Sequence, residues 1–478
     1  MSEAAATVKA ALIPYEELPG PKGIPVLGNA TQIRLEAFHQ QLEAWAREYG
    51  GKFRFRITNR HMLAITDPEA ISSVLRRRPQ QFLKTPRLVQ VAKDMGFHGV
   101  FSANGDDWKR QRQLVMPGLD PAHLHAYLPA LVTVTDRLRA KWRKAATQGT
   151  ELDLQAELMR YTVDVTTGLA FGEDLNTMEQ GDDVAIQRHL NYILPALFKR
   201  VLSPFDLEHW VPSREQKEHV SALKEAVRGF IERTRTLLRD RPELREKPQN
   251  LMQSMVATCD AGGGALSDDE LSANALTMLL AGEDTTATTL AWMIWLLSQN
   301  RGALEAARDE VDRVVGRGAI AMNMDQLSQL DYVDACANES LRLKPVAPLI
   351  ILQAAEDAEI DGVAVRAGTF VMCVMRPASV DAARFEQPQS FRPERWLHGE
   401  ADAAHGRMFS AKRVVMPFGA GPRVCPGRYL ALAEIKMVMA MLLANFSIDS
   451  VTAADGEPRE RLTLVMQPEG LRMKLSAR

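Results

Sequence analysis

The sequence predicts a mainly α-helical chain with small β-sheets. Three features lead there. Residues 216–240 and 303–316 place apolar side chains at i, i+3 and i+4 with charged opposite faces, the mark of amphipathic helices. Between them, the apolar stretch 271–297, interrupted by Glu283 and Asp284, follows Ser267-Asp268-Asp269-Glu270, a capping box. That helix can run to about Asn300, roughly 50 Å at 1.5 Å per residue, and its composition suits a buried core helix. Finally, residues 52–66 alternate and carry Phe, Ile and Val, and short strand-like segments return at 349–375 and 462–474.

Composition narrows the class. Length alone, at 478 residues, suggests two or three domains, and 46% hydrophobic residues supply a large core. A formal charge of −2 gives no sign of nucleic acid or of attraction to anionic membranes. Cys259, Cys336, Cys373 and Cys425 are widely spaced and form no C-x-x-C pair, so no disulfide framework is expected and a reducing cytoplasm is the simplest compartment. Residues 1–18 read as a flexible tail, without an apolar run long enough to span a bilayer. The following segment, Pro19-Gly20-Pro21 to Pro25, is too short of N–H donors for helix or central strand.

One cysteine stands apart. Cys425 lies in Phe418-Gly419-Ala420-Gly421-Pro422-Arg423-Val424-Cys425-Pro426-Gly427, a glycine-rich loop ahead of a helical run over 428–445. A helix N-terminus points N–H groups at the sulfur and favours the thiolate, the form that binds iron. Gly421 and Gly427 let the backbone come close, and Pro426 suits a first helical turn. Arg423 adds positive charge, either for the thiolate or for an anionic cofactor group. The segment completes the haem-binding signature Phe-x-x-Gly-x-Arg-x-Cys-x-Gly, and the chain therefore resembles the cytochrome P-450 superfamily. That resemblance implies one domain over 19–478, with haem b (iron protoporphyrin IX) held between a long distal helix and the helix after the cysteine loop. Cys425 would be the axial ligand, with Phe418, Gly421, Arg423 and Gly427 around the cofactor.

Other segments carry the same resemblance. Ala281-Gly282-Glu283-Asp284-Thr285-Thr286 falls mid-helix, and residues 277, 281, 284, 285 and 288 share one face with small and polar groups. An acid followed by a hydroxyl facing a cavity can order water and relay protons. It resembles the family's oxygen-activation motif, which implies that Thr285 hydrogen-bonds the dioxygen being activated, that Asp284 feeds protons inward and that Ala281 borders the cofactor. Gly282 costs helix stability, so a close neighbour is expected there. Glu339-Ser340-Leu341-Arg342, with Arg395 in Phe391-Arg392-Pro393-Glu394-Arg395-Trp396, resembles the family's Glu-Arg-Arg triad, a structural lock ahead of the thiolate. Trp108 and Arg112, four residues apart, resemble its Trp-x-x-x-Arg helix and are assigned to a haem propionate. Two departures stand out. Leu352 and Ser379-Val380-Asp381 occupy positions where many relatives carry basic residues, which leaves Arg376 as a weak replacement.

The resemblance places the substrate pocket among 86–101, 193–205, 346–352 and 463–470, which are rich in Leu, Ile, Val, Met and Phe. That suits an apolar fatty acid, terpenoid, steroid or polyketide. Arg87 or Lys93 could anchor a carboxylate. The resemblance implies a soluble, bacterial-type monooxygenase that uses O2. No flavin or iron–sulfur domain fits in the chain, so electrons would come from a ferredoxin or flavodoxin with its reductase. Lys109, Arg110, Lys412, Arg413, Arg428 and Lys436 would form its docking face. The acid–hydroxyl pair argues against a peroxygenase or isomerase on the same fold and against a non-catalytic haem sensor, and excludes neither.

Overall fold

The computed structural model describes residues 11–180, 185–203, 207–211, 213–261, 267–397 and 411–478, and its architecture is mostly helical with small sheets. The longest helix, Asp268–Gln299, organises the rest. Its first turn is closed by the expected box: Glu270 N donates to Ser267 Oγ at 3.2 Å, and Ser267 N donates to Glu270 Oε2 at 2.9 Å. Two N–H groups without helical partners are thereby satisfied. Leucines, tryptophans and methionines are buried all round its second half, so it runs through the core.

Helices packed along it include Leu154–Thr166, Arg214–Asp240, Asp331–Leu343 and Arg428–Asn445. The first comes very close at Gly282. A Cβ there would lie 2.6 Å from Thr166 Oγ1 and 3.0 Å from its Cγ2, so only glycine admits this approach. The helix after the cysteine begins at Arg428, with Gly427 as its cap and Pro426 outside it.

A five-stranded sheet stands beside the helices in the order Lys52–Ile57, Arg60–Ile65, Phe370–Val374, Leu349–Ala354 and Phe82–Lys84. Arg60–Ile65 and Phe370–Val374 run parallel and the other neighbours antiparallel. At the edge, Lys84 sits directly opposite Leu352. Near the C-terminus, Phe446–Thr452 pairs with Arg472–Ala477 and Arg459–Leu462 with Met466–Glu469.

The expected tail needs correction over its inner part. Ile13–Pro14 pairs in parallel with the strand Val363–Val365. The buried Tyr15 hydroxyl donates to the carbonyls of Phe55 and Met62, each at 3.2 Å, and Leu18 is buried. A two-residue strand followed by a single turn is too short to show a period in sequence. Residues 1–10 lie outside the described residues. No helix among the described residues is long and apolar enough to cross a membrane.

Candidate active site

A cavity of about 480 Å³ separates the long helix from the cysteine loop, within the usual range for small-molecule sites. Phe418, Arg423, Cys425 and Gly427 border it from the loop, whereas Gly421, expected among them, does not; Ala281, Gly282, Asp284 and Thr285 border it from the long helix. Trp108 and Arg112 reach it from the helix Gly105–Val115. Leu88, Phe101, Phe198, Leu202, Ile350, Ile351, Leu464 and Val465 give it apolar walls.

The loop is closed by two backbone bonds, Cys425 N to Phe418 O at 2.9 Å and Val424 N to Gly421 O at 3.0 Å. Gly421 has φ +71°, and a Cβ there would lie 2.7 Å from both Arg76 Cα and Leu75 O. Left-handed backbone and close approach both require glycine at this position. Gly427 differs: a Cβ would meet no protein atom within 4 Å, and the residue faces the cavity. What its missing side chain leaves open is ligand space.

Burial pushes the Cys425 thiol up, while the Gly427 N–H, Arg112 and Arg428 pull it down. The protein alone therefore leaves this sulfur as a thiol, and a coordinated metal would hold it as thiolate outright. Arg423 does not act on the sulfur. It bonds to Ala103 O and to Asn104 Oδ1 (3.5 Å), and its guanidinium lies 4.7 Å from the centre of the Trp108 ring. The Trp108 indole N–H has no acceptor among the described residues.

Opposite the sulfur, Asp284 is buried and its Oδ1 has no hydrogen-bond partner among the described residues. Burial pushes its carboxyl up to about 6. Thr285 borders the cavity, and its hydroxyl donates to Ala281 O at 2.9 Å. Thr288, expected on the same face, instead accepts from Gln155 Nε2 at 3.1 Å, and Thr289 takes the cavity position one turn beyond Thr285. Glu283 faces away from these groups. It is fully buried, accepts from Gln187 Nε2 at 2.6 Å, and is pushed up to about 8 by burial and by Asp284.

Glu339, Arg342 and Arg395 come together as a closed network. Arg342 donates Nε and Nη2 to the two carboxylate oxygens of Glu339 at 2.8 and 2.7 Å, and Arg395 Nε reaches Oε1 at 3.3 Å. Arg392 N (2.9 Å) and Trp396 Nε1 (2.9 Å) also donate to Glu339, two partners that the spacing of charged residues does not reveal. Arg342 further donates to the carbonyls of Ser379, Pro388 and Ser390. The Ser379-Val380-Asp381 segment thus meets the triad.

Arg376 is corrected as a replacement cation at the cavity. Glu43 and Glu460 hold it by four bonds of 2.5–2.9 Å, and Glu460 also takes Lys344 and His39. Two other cations line the cavity in its stead: Arg78 and Lys84. A lysine closing the apolar strand Phe82-Leu83-Lys84 was the available signal. Leu352 is buried under the sheet and does not border the cavity.

All four expected pocket segments contribute walls, though Phe205 lies outside the described residues. Neither Arg87 nor Lys93 borders the cavity, and Lys93 is exposed. Of the expected docking cations, Lys109 pairs with Asp106, Arg110 with Asp107 and Glu270, and Lys436 with Asp334. Lys412 and Arg413 are exposed.

An apolar slot bordered by one thiol, faced by small residues and supplied with cations fits an iron macrocycle bearing carboxylates. The comparisons with known proteins agree. The chain is 27% identical over 439 residues to cytochrome P450 3A6 of Oryctolagus cuniculus, covering 90% of this chain and 85% of that protein. It is 26% identical to cytochrome P450 3A28 of Bos taurus and to 3A12 of Canis lupus familiaris, covering 95% of this chain and 91% and 89% of those proteins. The family model "Cytochrome P450" matches residues 18–475. With nearly the whole chain matched and a thiol-bordered cavity at its centre, the protein belongs to the cytochrome P450 family, the haem-iron monooxygenases.

Proposed function

We propose that this monooxygenase uses haem b, with Cys425 as axial ligand, to insert one atom of O2 into an apolar fatty acid, terpenoid, steroid or polyketide by hydroxylation or epoxidation. The observation that carries the reading is the cavity itself, with Cys425 on one wall and the Asp284–Thr285 pair on the other. When bound, a thiolate-ligated haem supplies O2 activation, because the sulfur pushes electron density that favours O–O cleavage.

The chain's own residues do the rest. Trp108, Arg112 and Arg423 offer an indole N–H and two guanidinium groups to the propionates. Asp284, pushed up to about 6, can gain and lose a proton near neutral pH. The Thr285 hydroxyl can turn from Ala281 O toward the cavity and pass that proton on. The apolar walls exclude water and bind an apolar substrate. Glu339, Arg342 and Arg395 hold the segment ahead of the cysteine loop. Residues 19–478 form one domain in this reading, and electrons come from a ferredoxin or flavodoxin with its reductase.

The test is the ferric spectrum of the purified protein, titrated with one member of each substrate class. A saturable low-to-high-spin shift with one class supports the reading and names the class. No shift with any of them, in a protein shown to carry thiolate-ligated haem, overturns the apolar substrate assignment.

A further inference from the structure

Glu283 is a fully buried acid that the chemistry at the cavity leaves unused. Its Oε1 accepts from Gln187 Nε2 at 2.6 Å, a bond that crosses from the long helix to the helix Ala185–Leu202. Gln187 is buried as well, and its Nε2 also donates to Asn191 Oδ1 at 3.1 Å. The second oxygen of the acid, Glu283 Oε2, and the amide oxygen, Gln187 Oε1, are both buried without a partner among the described residues. Both are acceptors when the acid is ionised, so neither satisfies the other. A proton on Oε2 turns one of them into a donor. Acid and amide then close two bonds, N–H to carboxyl oxygen and O–H to amide oxygen, and one proton answers both orphaned atoms.

The pair sits on a helix that forms part of the cavity wall. Ala185–Leu202 is continuous through Pro195, and its last turns bring Phe198, Val201 and Leu202 to the cavity. Gln187 lies about three turns before Phe198 on that helix. Nothing else around Glu283 replaces the bond. Thr162, on Leu154–Thr166, donates its hydroxyl to the Glu283 carbonyl at 2.8 Å and not to the carboxyl. The charged group acting on Glu283 is Asp284, from its own helix, and it disfavours the ionised form. No cation acts on it from Ala185–Leu202, Leu154–Thr166 or Arg214–Asp240 among the described residues.

We propose that Glu283 is a positioning residue: as the protonated acid it pairs with Gln187 and holds Phe198, Val201 and Leu202 in place at the cavity, and its ionisation releases that wall. The inference rests on the reading of the cavity as the substrate site. Burial, then Asp284, push the Glu283 carboxyl up to about 8. The paired form therefore prevails at neutral pH and falls to about one-tenth at pH 9. An ionised carboxylate is better solvated once the two helices part, so rising pH favours the parted state. The wall is held below about pH 8 and loosens as pH rises through it.

The test compares wild type, Glu283→Gln and Glu283→Leu at pH 7 and pH 9. Hydrogen exchange over residues 185–202, corrected for the intrinsic rate, reads the helix with or without haem. The ferric spectrum reads the dissociation constant of 1-phenylimidazole, an apolar azole uncharged over this range. In wild type, protection should fall and the dissociation constant rise between the two pH values, each on the order of tenfold. Glu283→Gln, whose amide makes both bonds without titrating, should keep the wild-type pH 7 values at pH 9. Glu283→Leu should show the wild-type pH 9 values at both. A flat wild-type profile overturns the proposal, as does Glu283→Gln following wild type, or a change in exchange with no change in azole affinity. A protein that purifies without thiolate-ligated haem overturns the site reading instead, and hydrogen exchange still decides the Glu283–Gln187 pair.

Discussion

The charge clusters inside this molecule are built on two opposite rules. Around Glu339, each charge meets its complement: five donors converge on one carboxylate, and Arg342 spends its remaining N–H groups on carbonyls. The Arg376 cluster, with Glu43, Glu460, Lys344 and His39, is equally closed. Around the cavity, Arg78, Lys84, Arg112 and Arg423 face one another with neutral acceptors alone among the described residues. A completed network belongs to the fold, and breaking it leaves a buried charge stranded. An uncompensated one marks where a ligand of opposite charge completes the structure.

The difference has consequences of opposite sign. Arg342→Ala should destabilise the protein by about 3–5 kcal/mol, because buried Glu339 loses two of its five donors and its main counter-charge. Urea denaturation reads this directly, and little haem should be retained. Lys84→Met should leave the unfolding midpoint of haem-free protein unchanged or raised, since it removes a cation that no acceptor or carboxylate among the described residues offsets. A fall as large as that of Arg342→Ala would place Lys84 with the closed networks.

Asp284→Asn separates chemistry from structure. It should lower kcat by roughly 10²–10⁴-fold, with the substrate-induced spin shift retained. Equal turnover would remove Asp284 from proton delivery. Glu283 gives a pH-dependent contrast. Its folded carboxyl is raised to about 8 from an ordinary 4.5, so the folded state keeps a proton that the unfolded chain loses. Stability should therefore fall as pH rises from about 4.5 to about 8. Glu283→Gln removes that slope and should stabilise the protein at pH 8 by on the order of 1–3 kcal/mol, read from urea midpoints at pH 6 and pH 8. The smallest effect is expected on the surface. Replacing Lys412 and Arg413 by Ala should slow reduction by an acidic ferredoxin a few-fold at low salt and have no effect at high salt.

What could be read in the sequence was whatever local spacing encodes. The cysteine loop is ten consecutive residues, Trp108 and Arg112 are one helical turn apart, and the 3.6-residue period places Ala281, Asp284 and Thr285 on one face. Gly282 signalled a close neighbour without naming Thr166. Contacts between distant segments stayed hidden. Arg376 looked available for the cavity because Glu43 lies 333 residues away and Glu460 lies 84 away. Lys84 drew no notice because its meaning depends on facing Leu352 across a sheet edge and on Asn104 pinning its backbone. Trp396 and the Arg392 N–H joined Glu339 unseen, since backbone donors and indole N–H groups carry no charge to pattern. The strand at Ile13–Pro14 was too short to announce itself.

The decisive experiment is the reduced carbon monoxide spectrum of purified wild type beside Cys425→Ser. A thiolate-type band in wild type that is lost in the variant, with the fold kept by circular dichroism, is the result expected if Cys425 is the iron ligand. The same spectrum in both proteins would contradict it and place the iron on another residue.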